Sequence, residues 1–167
     1  MSSLRLVVLS VEHELTGFDC GNTELNGWLV DHALASQKAD LARTYVALSD
    51  TVVAGYVSLT TGSIRPEAAP RRYARGMPRH PIPTILIARL AVDLRHQRQQ
   101  LGGRLLAEAL RRAVLASDTA AARLVVVDAI DDDAAAFYRR WGFIDVPENP
   151  RRLFRKISDI RRTLEQP

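Results

Sequence analysis

Two stretches of this chain carry residues suited to chemistry. In the first, Leu90-Ala91-Val92-Asp93 runs into Arg95-His96-Gln97-Arg98-Gln99-Gln100-Leu101-Gly102-Gly103-Arg104. The apolar part reads as a buried strand, and the polar part as a donor-rich turn opening a helix that ends near Ser117. Such a junction gathers unpaired backbone N–H groups, and the helix dipole adds positive potential there, so it suits a phosphorylated ligand. In the second, Ala134-Ala135-Ala136-Phe137-Tyr138-Arg139-Arg140-Trp141-Gly142-Phe143 sets a lone phenol among aromatic neighbours on a short helix. A phenol within hydrogen-bond reach of a departing anion is a general acid.

The other titratable groups form no constellation. His13, His32, His80 and His96 make neither a His-x-x-x-His pair nor a Ser/His/Asp set, although His96 touches the turn. Asp131-Asp132-Asp133 project in different directions, so no metal site is expected; their expected role is capping the short helix, with a base role for one of them left open. Cys20 is the only cysteine, which rules out an internal disulfide or a thiolate metal cluster.

The elements that must position these groups follow from periodicity. Leu4 to Leu9 reads as a first strand, and Asn22 or Thr23 caps a helix with Leu25, Trp28, Leu29, His32 and Ala33 at helical spacing. Thr44–Leu48 and Val52–Thr60 read as a hairpin, and Gly55 inside the second strand marks a bulge or a close backbone approach. Residues 65–83 read as a long loop without period, rich in Arg and Pro. Thr84–Val92 is the central strand, and Gln99–Ala116 an amphipathic helix with Leu101, Leu105, Ala109 and Arg112 on one stripe. Arg123–Ala129, nearly all apolar, reads as a buried parallel strand. The short helix 133–141 and a hairpin of Phe143–Val146 with Leu153–Ile157 complete the order. The expected architecture is α/β, a mixed central sheet flanked by helices, and a chain of this length builds one domain over residues 1–167.

Charge is unevenly spread. Residues 1–64 carry three basic and seven acidic side chains, whereas residues 65–104 carry nine arginines against Glu67 and Asp93. The middle block is therefore a candidate surface for an anionic partner. Lys38 and Lys156 are the only lysines; arginine dominance favours bidentate phosphate contacts, and codon usage that favours arginine would give the same ratio. No apolar run approaches a membrane span, and the N-terminus lacks the pattern of a signal peptide, so the cytoplasm is expected.

The turn and the Phe-Tyr-x-x-x-Gly-Phe segment, in this order, resemble the GNAT N-acetyltransferases. There the turn reads Gln/Arg-x-x-Gly-x-Gly/Ala, matched here by Gln97-Arg98-Gln99-Gln100-Leu101-Gly102, with Gln100 in place of the first glycine. The resemblance implies a GNAT fold whose fourth and fifth strands splay around acetyl-CoA. Leu90, Ala91 and Val92 would then pair their main chain with the pantetheine arm, and the backbone of Gln97 to Arg104, Gly103 included, would hold the pyrophosphate. Phe137 would line the coenzyme site, and Arg98 and Arg104 would add phosphate contacts. Gln100 can donate its N–H if the turn keeps helix-compatible angles, since a glycine otherwise tolerates dihedrals that glutamine resists. Tyr138 would protonate the departing CoA thiolate.

The resemblance is closest to the GNAT toxins of bacterial toxin–antitoxin operons. Phe18-Asp19-Cys20-Gly21-Asn22-Thr23-Glu24-Leu25-Asn26-Gly27-Trp28-Leu29 matches their opening, as do Arg43-Thr44-Tyr45-Val46, Gly55-Tyr56-Val57-Ser58-Leu59 and Arg89-Leu90-Ala91-Val92-Asp93. It implies acetylation of the α-amine of an amino acid on charged tRNA, a block of translation, and a ribbon–helix–helix antitoxin as partner; homodimer formation is left open. Arg89 would meet the acceptor end of the tRNA, unless it serves only in a salt bridge. Lys38, Arg43, Arg71, Arg72, Arg75 and Arg79 are further tRNA candidates. Two rival expectations stand beside this one: acetylation of a small amine, and a non-catalytic binding module in which Gln100 has ended coenzyme use.

Overall fold

The branched and aromatic runs become the seven strands of one mixed sheet in the computed structural model, which describes residues 4–166. In chain order the elements are β1 (Arg5–Val8), α1 (Thr23–Asp31), α2 (Ala33–Lys38), β2 (Arg43–Ser49), β3 (Val52–Ile64), α3 (Arg71–Ala74), β4 (Ile82–Val92), α4 (Leu101–Thr119), β5 (Leu124–Asp128), α5 (Asp132–Arg140), β6 (Ile144–Val146), β7 (Asn149–Lys156) and α6 (Ile157–Glu165). The strand order is β1-β2-β3-β4-β5-β7-β6. β4 and β5 run parallel, paired from Thr84 with Leu124 to Ile87 with Val127, and β4 then continues to Val92. No described helix is long and apolar enough to cross a membrane.

Three differences from the sequence reading have local causes. The Arg- and Pro-rich segment is not structureless: Pro66–Ala68 forms a 3₁₀ turn and α3 follows, anchored by buried Ala69 and Tyr73. The chain ends on a helix rather than on a hairpin, because Ile157 and Ile160, three apart, both turn inward. On α4 the buried stripe passes through Ala113, whereas Arg112 lies at its edge.

Two compact units divide the chain: residues up to Thr60 with Ala88–Ala109, and Thr61–Ile87 with residues from Leu110 onward. The first unit packs Leu9, Phe18, Leu29, Val46, Leu48, Val53, Tyr56 and Ala91. Both expectations for Gly55 hold. The β2–β3 register slips between Ala47 and Leu48, so Ala54 is the extra residue beside the glycine. A Cβ on Gly55 would stand 2.8 Å from Leu105 Cδ1 and 3.1 Å from the Ala91 carbonyl oxygen, so β4 passes too close for any side chain. The second unit packs Ile64, Tyr73, Ile82, Leu124, Val126 and Phe154.

Candidate active site

The turn after β4 is built around a carboxylate that the sequence reading counted only as charge. Asp93 is 1% exposed and accepts four hydrogen bonds: from Arg95 N and Nε at 2.9 Å each, from Arg95 Nη2 at 3.2 Å, and from Asp19 N at 3.1 Å. Burial alone would raise its pKa, but these bonds outweigh burial and hold the carboxyl down at about 2. The Leu94 N–H donates to the Asp19 carbonyl at 2.8 Å, and Gln97 Nε2 donates to the carbonyls of Val92 at 3.0 Å and Cys20 at 3.3 Å. Asp19 Oδ1 in turn accepts from Gly21 N and Asn26 Nδ2, while Asn26 Oδ1 accepts from Cys20 N. The segment leading into α1 and the segment leading into α4 are thus tied by a continuous polar network. A charge pattern could have hinted at it only through the pairing of Asp93 with Arg95.

Within this frame Arg98 and Gln100 adopt φ of +66° and +62°, while Gln99 and Leu101 do not leave the negative side. The expectation of helix-compatible angles at Gln100 is corrected: the residue stands in the left-handed region, where a glycine would be at ease. Residues of alternating hand make consecutive N–H groups converge on one point, the arrangement that cradles phosphate. Arg98, Gln99 and Gln100 are exposed, Gly102 and Gly103 open α4, and Leu101 is buried beneath them. Arg104 donates from Nη2 to the Leu4 carbonyl at 3.3 Å. His96 Nδ1 is buried without a hydrogen-bond partner among the described residues. The main chain therefore fits a polyphosphate, while the Gln97 side chain is spent on holding β4 and Cys20 in place.

Upstream on β4, Leu90 and Val92 are half-buried and Ala91 is buried. Arg89 lies over the Trp28 ring, its Cζ 4.1 Å from the centroid; the alternative salt bridge is not formed among the described residues. Burial pushes the Cys20 thiol pKa up, which disfavours the thiolate that a nucleophile requires.

In the second unit α5 begins at Asp131, whose side chain accepts from Ala134 N at 2.7 Å, as the capping expectation requires. Its far end explains the spacing of the aromatic motif. The Phe143 N–H donates to the Tyr138 carbonyl at 3.2 Å, the Gly142 N–H to the Arg139 carbonyl at 3.0 Å, and Gly142 has φ of +87°. This is a Schellman cap, which places a hydrophobic residue one past the glycine against the helix. Phe143 accordingly meets the Tyr138 ring edge-on at 5.7 Å, and half-buried Phe137 meets it at 5.2 Å. Tyr138 is 5% exposed, and burial raises its pKa, which keeps the phenol protonated and able to donate.

The remaining cationic candidates are exposed. Lys38 ends α2, and Arg43 pairs with Asp40 at 3.2 Å. Arg72 lies over the Tyr73 ring at 5.3 Å, Arg71 and Arg75 line a cavity of about 370 Å³ with Glu67, and Arg79 stands in the segment before β4. Among the described residues no group of three or more His, Cys, Asp or Glu is placed to hold a metal.

Known proteins are similar to this chain in sequence and fold. The acetyltransferase (GNAT) domain matches residues 40–145. A tRNA-acetylating toxin of Mycobacterium tuberculosis is 37% identical over 153 residues, covering 92% of each chain. The solved structure of AtaT complexed with acetyl-methionyl-tRNAfMet superposes with a TM-score of 0.90 at 28% identity, over 97% of this chain and 99% of that one. A tyrosine-to-phenylalanine mutant of AtaT, bound to acetyl-CoA and the C-terminus of the antitoxin AtaR, gives 0.84 at 28% identity, over 98% and 99%. The chain belongs to the GNAT acetyltransferase family.

Proposed function

We propose that this protein moves an acetyl group from acetyl-CoA to the α-amine of the amino acid carried by a charged tRNA, and so blocks translation. The observation that carries the reading is the left-handed pair Arg98 and Gln100, which keeps the phosphate-cradling backbone without the family's glycine. The rival of a module that has lost its coenzyme rests on Gln100, and the left-handed φ at that residue speaks against it. Similarity along nearly the whole chain to a tRNA-acetylating toxin and to AtaT in complex with acetyl-methionyl-tRNAfMet supports the acceptor.

In this reading residues 1–167 act as one acetyltransferase domain. The N–H groups from Gln97 to Arg104 hold the pyrophosphate, the β4 main chain at Leu90, Ala91 and Val92 aligns the pantetheine arm, and Phe137 lines its end. Tyr138 gives its phenolic proton to the sulfur as the amine takes the acyl carbon. No side chain is needed as base where the attacking amine is near its own pKa. Arg89, Lys38, Arg43, Arg71, Arg72, Arg75 and Arg79 meet tRNA phosphates, contacts that supply affinity with little sequence reading. A ribbon–helix–helix antitoxin is the expected partner, and the cytoplasm, where charged tRNA is found, the expected location.

The test is incubation with labelled acetyl-CoA and total charged tRNA, followed by identification of the acetylated aminoacyl product. Label in one or a few aminoacyl esters is the expected result. Transfer to a free polyamine, with none to any charged tRNA, would overturn the acceptor and leave the acetyltransferase.

A further inference from the structure

We propose that Trp28 is a positioning residue that lays the Arg89 guanidinium flat so that its edge takes a backbone phosphate at the acceptor end of tRNA. The proposal rests on the acceptor assigned above and adds the device that makes Arg89 a phosphate ligand.

The geometry sets Arg89 apart from most arginines of the chain whose partners are known. Arg43, Arg95, Arg139, Arg151, Arg152 and Arg161 each lie against a carboxylate. The partner of Arg89 is an uncharged ring, with Cζ 4.1 Å from the Trp28 centroid, inside the range of a cation–π contact. A guanidinium that stacks uses its face. An aromatic face accepts none of the five N–H donors as a carboxylate would, so the ring restrains the guanidinium without competing for its fork. A carboxylate partner would neutralise the charge and occupy the same donors that a phosphate needs.

The platform is itself immobilised. Asn22 caps α1 by accepting from Leu25 N at 3.0 Å, which sets the helix that carries Trp28. The indole lies nearly parallel to the Tyr56 ring, at 6.0 Å and 15°. Tyr56 is fully buried, and its hydroxyl donates to the Leu25 carbonyl at 2.7 Å, one turn before Trp28. Guanidinium, indole and phenol form a chain of contacts that ends in the core. Arg89 also follows Ile87 and precedes Ala91 on one face of β4, both buried, so the strand restrains its stem as well. An arginine held this way loses little rotamer freedom on binding, which is where the gain in affinity comes from.

The experiment measures binding of purified tRNA by fluorescence anisotropy across a salt series, and of acetyl-CoA by calorimetry. The variants are Arg89→Ala, Trp28→Ala, Trp28→Phe and the Arg89→Ala/Trp28→Ala double. Arg89→Ala is expected to weaken tRNA binding about tenfold and to lower the salt slope by about one. Trp28→Ala should reproduce most of that loss, add nothing in the Arg89→Ala background, and be largely rescued by Trp28→Phe, which restores a ring face. Additive losses, an unchanged salt slope, or an equal loss of acetyl-CoA affinity would overturn the proposal. If Trp28→Ala does not fold, the Trp28→Phe and Arg89→Lys variants decide: lysine cannot present a planar fork, so binding as tight as with arginine would overturn it. Binding that follows these expectations without acetyl transfer to charged tRNA would sink the acceptor assignment and leave the phosphate contact standing.

Discussion

The turn after β4 and the cap after α5 both need residues in the left-handed region, and they reach it by opposite means. At the cap, Gly142 takes φ of +87° because it has no Cβ to resist, and the aromatic contact of Phe143 with Tyr138 follows from the local spacing. At the turn, Arg98 and Gln100 hold φ of +66° and +62° with full side chains. The segment before them is braced both locally and across the fold: Asp93 is bonded to Arg95 and Asp19, and Gln97 to Val92 and Cys20. Each non-glycine residue in this region costs about 1 kcal/mol, well within what a buried charged hydrogen-bond network supplies. One site is specified by a residue's own freedom, the other by what surrounds it.

The comparison can be broken at either end. The largest effect is chemical. Tyr138→Phe should lower the acetylation rate about 100-fold or more while thermal unfolding stays within a degree or two, since the ring contacts with Phe137 and Phe143 remain. A rate near wild type would remove the phenol from the reaction.

Next comes the frame of the turn. Asp93→Ala leaves the Asp19 and Arg95 donors unmatched and is expected to cost about 3 kcal/mol, with acetyl-CoA affinity falling at least tenfold. Denaturant unfolding and calorimetry read the two effects separately; loss of stability with coenzyme affinity intact would show that the turn does not depend on this carboxylate. The same residue sets an acid limit. Its folded pKa of about 2 lies below the unfolded value of about 3.9, so its contribution is present above pH 4 and is lost as pH falls toward 2. In Asp93→Asn that pH-dependent component should be absent.

Gly142→Ala should be milder, at about 1 kcal/mol, seen as a drop of a few degrees in Tm, because alanine resists φ of +87° and no network compensates. The smallest effect sharpens the contrast. Gln100→Gly relieves strain in the folded turn but adds freedom to the unfolded chain, so stability should move by less than about 0.5 kcal/mol. Coenzyme affinity should hold, because the left-handed backbone at this position is one that glycine adopts freely. A gain of several kcal/mol would mean that the turn is not held by its neighbours.

Much of the architecture was readable along the chain because its causes are local. Alternation and branching mark the strands, Asn22 and Asp131 sit at helix starts where their side chains accept from Leu25 N and Ala134 N, and Gly142 punctuates a motif whose spacing is that of a helix cap. Gly55 was legible as a position with no room for a side chain, although not which atoms fill that room. The strand reading of Leu153–Ile157 holds through Lys156, but the helix from Ile157 onward was missed, and the turn of helix around Tyr73 was hidden by prolines that suggest loop.

The order of the seven strands, the polar turn between β4 and α4 and the phenol on its short helix were determined by the sequence alone, since each depends on residues within a few positions of one another. Tertiary structure decided that Gln100 adopts the conformation of a glycine, that Asp93 is buried as the anchor of the turn, and that Arg89 rests on an indole. The last two outcomes draw on partners in α1 and the segment before it, far away in the chain. Hydrogen bonding and stacking act over a few ångströms of space, which sequence distance does not report.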